Sequence, residues 1–154
     1  MYKKHIVFEP PEENARIWRY MDFAKHLSST NNRCINLMKV KDYKDLKVWQ
    51  KGIEIADKIY SVTDGFPKSE LYGLIAQMRK ASVFVPSNIA EGFVRHHGKE
   101  YKQFLYISLG SCAELDTQLI IANKRNYLTK EKLEELSEDI NHESRMLASL
   151  IGKI

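Results

Sequence analysis

The chain has 154 residues, 24 Lys+Arg against 20 Asp+Glu and a formal net charge of +4. That length suits one domain, and 44% hydrophobic with 29% charged residues excludes collagen-like and disordered classes. Seven Gly and four Pro argue against a many-turned all-β fold. Two cysteines, Cys34 and Cys112, exclude a disulfide framework. No Cys/His cluster has zinc-ligand spacing, and the start lacks an apolar stretch of signal-peptide length. The longest uncharged runs fall well short of the ~20 residues a membrane helix needs. The expectation is a cytoplasmic protein with reduced thiols, no cofactor and no membrane partner.

Residues 1–37 read as an extension. They hold a Pro10-Pro11 break, an amphipathic piece (Ile17, Trp18, Met21, Phe23, Leu27) and a polar run, Ser28–Arg33, with linker character. Residues 38–154 read as helical nearly throughout.

A first helix is expected over 46–62, with Leu46, Trp49, Ile53, Ala56 and Tyr60 as its buried stripe. Gly65 closes it in the left-handed conformation, and Pro67 fits the first turn of the next. A second helix over 68–93 carries Leu71, Leu74, Met78, Ala81, Val85 and Ile89, with a kink at Pro86. The third, over 99–123, repeats Tyr101, Leu105, Ser108, Cys112, Leu115, Leu119 and Ala122 at spacings of three and four. The fourth starts at the N-cap Thr129 and continues through Leu133, Leu136, Ile140, Leu147 and Ile151. Short loops make neighbours antiparallel, so the expected fold is all-α, an up-down-up-down four-helix bundle.

Charge is unevenly placed. Between Leu71 and Val94 the only charged residues are Arg79, Lys80 and Glu91; between Gln103 and Asn123 they are Glu114 and Asp116. Helices so apolar need cover on more than one side. Self-association supplies it most simply; cover by residues 1–37 is the alternative. The first helix carries Lys44, Lys47, Lys51 and Lys58, and the corner between the second and third adds Arg95, His96, His97, Lys99 and Lys102. The fourth is acidic, with Glu131, Glu134, Glu135, Glu138, Asp139 and Glu143.

Catalytic motifs are missing. No Glu-x-x-His exists for a di-metal bundle site, no Gly-x-Ser-x-Gly for a nucleophile and no phosphate-binding glycine loop. His96-His97 reads as plain loop. Arg79, Asn88, Glu91, Ser111 and Glu114 are polar residues near the apolar phase. They are expected to form a buried hydrogen-bond network fixing helix register; an enzymatic pocket built on Glu91 and Glu114 is the other reading. Gly110, costly in mid-helix by about 1 kcal/mol, points to close helix approach. The nucleic-acid candidates are Lys44, Lys47, Lys51, Arg95 and Lys99. One copy is a weak signal without aromatic interleaving, but copies repeated by symmetry add phosphate contacts.

Several motifs are specific in combination: Leu46-x-Val48-Trp49-Gln50, Phe66-Pro67-x-x-Glu70-x-Tyr72-Gly73-Leu74, Pro86-Ser87-Asn88-Ile89-Ala90-Glu91-Gly92 and Gly110-Ser111-x-x-Glu114-Leu115. Through them, residues 41–128 resemble the bacterial four-helix bundle proteins encoded within intervening sequences of large-subunit ribosomal RNA genes. The resemblance implies a homopentamer with no established enzymatic activity. A related branch is the accessory variability determinant of diversity-generating retroelements, which binds nucleic acid and a reverse transcriptase. This chain departs from that basic branch: from Met38 on it has 18 basic and 16 acidic residues. The expectation is a non-enzymatic scaffold binding itself and, weakly and without sequence preference, RNA or DNA. A purely protein-binding adaptor is the alternative.

Overall fold

The computed structural model describes residues 40–95 and 98–154. The expected extension, residues 1–37, and the His96-His97 pair lie outside the described residues. Four helices account for most of the rest: α1 (Lys47–Thr63), α2 (Leu74–Val94), α3 (Gly98–Lys124) and α4 (Lys130–Ile151), with 3-10 turns at Tyr43–Asp45 and Lys68–Glu70. No strand occurs among the described residues. The protein is an all-α four-helix bundle, as the periodicity predicts.

Contacts between helices fix their directions. Gly52 of α1 faces Pro86 of α2, while Thr63 meets Arg79. The Ser108 hydroxyl of α3 donates to the Val85 carbonyl of α2 at 3.1 Å, and Gly92 packs on Phe104. Across α1 and α4, Lys51 reaches Asp139 and Lys58 reaches Glu135. In each pair one chain number rises as the other falls, so these neighbours are antiparallel. The core is formed by Ile59, Met78, Ile89, Leu105, Leu115, Leu119 and Leu147, all fully buried.

The helix ends differ in instructive ways from expectation. Gly65 is not left-handed; the positive φ among the described residues is at Asn126 (58°). There the Tyr127 N–H returns to the Ala122 carbonyl at 2.9 Å and closes α3, the geometry in which Asn substitutes for Gly. Thr129 caps α4 as expected, accepting from the Lys132 N–H. The second helix does not run on from Lys68. Gly73 takes a non-helical conformation (φ −102°, ψ −118°) that separates the 3-10 turn from α2, and the Glu70 carboxylate accepts from the Leu74 N–H at 3.1 Å. Glu70 thus supplies an N-terminal acceptor that an apolar start lacks. Pro86 lies inside a continuous α2 and is buried against Gly52.

The buried stripe of α3 is the expected one throughout. That of α1 is not. Val48, Gly52, Ile55, Ile59 and Thr63 face the core, whereas Ile53 and Tyr60 are exposed. Gly110, expected at a close approach, has open space within 4 Å of where a Cβ would stand. The close approach belongs to Gly92 instead.

Candidate nucleic-acid interface

The basic candidates fall into two groups. Lys44 and Lys47 stand at the start of α1, and Arg95 and Lys99 at the corner joining α2 to α3; all four are exposed. The end of α4 lies beside both places. Leu46, Lys47 and Val48 share a groove of about 390 Å³ with Arg145, Met146, Leu150 and Lys153, and Ile154 lies near Gly98. The fold therefore gathers Lys44, Lys47, Arg95 and Lys99 toward one end of the bundle and adds Arg145, which is paired with Glu138, and Lys153, neither of them part of a basic run along the chain. Periodicity alone does not show which helix ends meet.

Availability differs among them. Lys44, Lys47 and Lys99 make no ion pair among the described residues. Arg95 donates to Glu91 at 2.6 Å and stacks on the Phe104 ring at 4.9 Å. The Glu91 carboxylate holds its guanidinium pKa above the ordinary value. Lys51 is different in kind. Its ammonium donates to Asp139 at 2.8 Å and Glu54 at 3.3 Å, with its side chain only 18% exposed. The Asp139 bond, more than burial opposes it, holds the Lys51 pKa above its usual value. Lys58 binds the same carboxylate at 2.6 Å. The basic face of α1 and the acidic face of α4 are thus not two separate surfaces. They close on each other along the α1–α4 seam, because antiparallel packing sets Lys51 and Lys58 opposite Asp139 and Glu135.

The expected polar network does not form as a unit. The Arg79 guanidinium donates to Thr63 and Asp64, Asn88 to the Phe84 carbonyl and Ser111 to the Ile107 carbonyl. Glu91 accepts from Arg95 and Glu114 from Gln118. Four of the five are satisfied within their own helix, which an i,i+4 partner makes easy. Only Arg79 ties two elements together. Glu91 and Glu114 are exposed on the outer faces of α2 and α3.

The buried charge lies elsewhere. Glu143 of α4 is fully buried and neither carboxylate oxygen has a hydrogen-bond partner. Burial pushes its pKa up to about 8, against the pull of the Lys51 ammonium. Burial first, and Glu143 second, push the Cys112 thiol up to about 12, a contact with the Ser144 hydroxyl working the other way. The signal for Glu143 was present in the sequence: 136, 140, 143 and 147 continue one stripe. No group of three or more His, Cys, Asp or Glu among the described residues is placed to hold a metal ion, and none of the described helices is long and apolar enough to cross a membrane.

A second exposed feature is apolar. Val83, Phe84 and Val94 on α2, with Tyr106, Ile107, Ile120 and Ile121 on α3, keep 38% or more of their surface. Gly110 and Ala113 lie on the same outer side of α3. This is the excess apolar surface that the sparse charge of these helices predicts.

The described residues form an antiparallel helical bundle with polar and apolar outer surfaces. Residues 44–149 match the family described as 23S rRNA-intervening sequence protein, and the chain belongs to that family. No curated protein matches. Among solved structures, the chain is similar to a protein of unknown function from the S23 ribosomal protein family of Bacteroides thetaiotaomicron. The two are 21% identical with a TM-score of 0.63, over 68% of this chain and 94% of that one. That likeness concerns the fold.

Proposed function

We propose that the protein is a non-enzymatic, self-associating bundle, a ring of five copies, that serves in the cytoplasm as an interaction scaffold and binds RNA, DNA or ribonucleoprotein without sequence preference. The observation that carries this reading is the meeting of Lys44, Lys47 and Lys99 at one end of the bundle, exposed and free of ion pairs among the described residues. The 23S rRNA in the family's description agrees with a phosphate-rich partner. Self-association rests on the outer apolar surface of α2 and α3, which a monomer would leave wet. Lys51, committed to Asp139, contributes to the fold more than to binding.

The test is binding of the purified oligomer to mixed RNA and DNA across a salt series, with the absorbance ratio at 260 and 280 nm recorded first. Counterion release predicts affinity falling steeply with salt. No binding at about 50 mM salt, or binding indifferent to salt, overturns the electrostatic reading.

One observation favours a protein partner as the second reading. The groove between the start of α1 and the end of α4 has an apolar floor of Leu46, Val48, Met146 and Leu150 beneath Lys47, Arg145 and Lys153. An acidic amphipathic segment matches that chemistry.

A further inference from the structure

Glu143 breaks the pattern of its own helix. Ile140 and Leu147, one turn to either side, are buried apolar residues, and a polar group at the position between them needs a partner. Its oxygens have none. The titratable and charged groups facing it are few. From α1 comes Lys51, which attracts it; from α3 comes the buried Cys112 thiol, which it disfavours as thiolate; on α4 itself stands Asp139, which holds Lys51 at 2.8 Å. One cation on α1 is therefore within the influence of two carboxylates of α4, and it serves the outer one.

We propose that the α1–α4 seam is a proton-operated latch, shut while Glu143 is protonated and loosened when Glu143 ionises and draws Lys51 away from Asp139. A neutral carboxyl in the core carries a modest desolvation cost; an ionised one without a partner carries a far larger one. The ionised form therefore takes a cation or water. Lys51 is the cation the neighbouring helix offers. Its transfer leaves Asp139 with Lys58 alone, at 2.6 Å, and lets water reach a seam whose inner side is otherwise apolar.

The sign follows from proton linkage. Burial raises the Glu143 pKa from the ordinary 4.5 to about 8, so the folded state holds a proton that the unfolded state has released. The stability attached to Glu143 is complete below the lower value, declines as pH rises, and is lost once pH passes the upper one. The folding constant then falls up to tenfold per pH unit across that interval.

The test is amide hydrogen exchange of the full chain at about pH 6 and about pH 9, corrected for intrinsic rates, beside Glu143→Gln. In the native protein, protection of α1 and α4 amides should fall about tenfold or more relative to α2 and α3; in Glu143→Gln that differential loss should vanish. An equal loss in all four helices, or the same pH profile in Glu143→Gln, overturns the latch. If Glu143→Gln does not fold, Glu143→Leu carries the same comparison. A carbon-13 titration of the Glu143 carboxyl checks the exchange of partners. Its midpoint should rise in Lys51→Met, and an unchanged midpoint rejects Lys51 as the partner of ionised Glu143.

Discussion

Gly92 of α2 meets Phe104 of α3 so closely that a Cβ at position 92 would stand 2.6 Å from the Phe104 Cβ and 2.9 Å from Tyr101 Cδ2. A Cβ is fixed to the backbone and cannot swing away. Alanine gains about 1 kcal/mol over glycine in a helix interior, but overpacking costs about 1–3 kcal/mol. We expect Gly92→Ala to lower stability by about 1 kcal/mol or more, read as a reduced urea midpoint at unchanged slope. Gly110 carries the opposite sign. Open space surrounds its Cβ position and its φ is not positive, so Gly110→Ala should raise stability by about 0.5–1 kcal/mol. A loss there would mean that a neighbouring copy presses on Gly110.

Glycine also explains what periodicity concealed in α1. Two stripes run along that helix at spacings of three and four. The one richer in large apolar residues, with Trp49, Ile53 and Tyr60, is partly exposed, while the core stripe passes through Gly52 and looks interrupted. Gly52 is there because the Pro86 ring lies where a side chain would go, with 3.3 Å to its Cδ. In α3 the core stripe is not interrupted by a glycine, and every expected core residue is buried. The candidate site was legible as residue types, not as partners. Lys47 and Lys51 are one turn apart on α1. The proximity of Asp139, on a helix more than eighty residues away in sequence, adds to the local Glu54 contact and separates a committed lysine from an available one. Glu143 continues the buried stripe of α4, but a carboxylate within an acidic run reads as solvated surface.

Asp139 should be the most consequential surface-adjacent carboxylate. Burial works to raise its pKa, yet the Lys51 and Lys58 ammoniums outweigh burial and hold it below the ordinary value. Its contribution is therefore present above the unfolded pKa and lost as pH falls through the lower folded value. Asp139→Asn should destabilise by about 1–3 kcal/mol at neutral pH, the range for hydrogen bonds to charged groups. The loss should shrink on acidification. Urea unfolding of both proteins at about pH 7 and about pH 3 checks this, and a loss independent of pH would assign it to packing.

The outer face of α2 and α3 makes a prediction about assembly that spares the fold. Ile107 and Ile120 are 43% and 44% exposed in the protomer, so a charge there costs the isolated bundle little. In an interface each isoleucine buries only the part still exposed, worth about 1 kcal/mol, and a glutamate adds a desolvation penalty. The double variant Ile107→Glu/Ile120→Glu should keep its helical circular dichroism while light scattering shows a smaller species. An unchanged mass places the contact between copies on another face.

The basic end predicts a contrast among lysines that look alike in sequence. Lys44, Lys47 and Lys99 are exposed without a carboxylate partner among the described residues, whereas Lys51 already has two. Reversing an available lysine should weaken nucleic-acid binding on any sequence and reduce the salt slope by about 0.9 per lost duplex contact, or about 0.7 on single strands. A ring repeats each contact, so the change per variant can exceed one site's value wherever several copies touch the same strand. Lys51→Met should behave otherwise. It leaves the salt slope unchanged and lowers stability through the seam, because its ammonium is spent on Asp139. Binding measured across a salt series, beside urea unfolding of the same variants, separates the two effects. If Lys51→Met flattens the slope as much as Lys47→Glu does, the phosphate contacts lie along the α1–α4 seam and not at the end of the bundle.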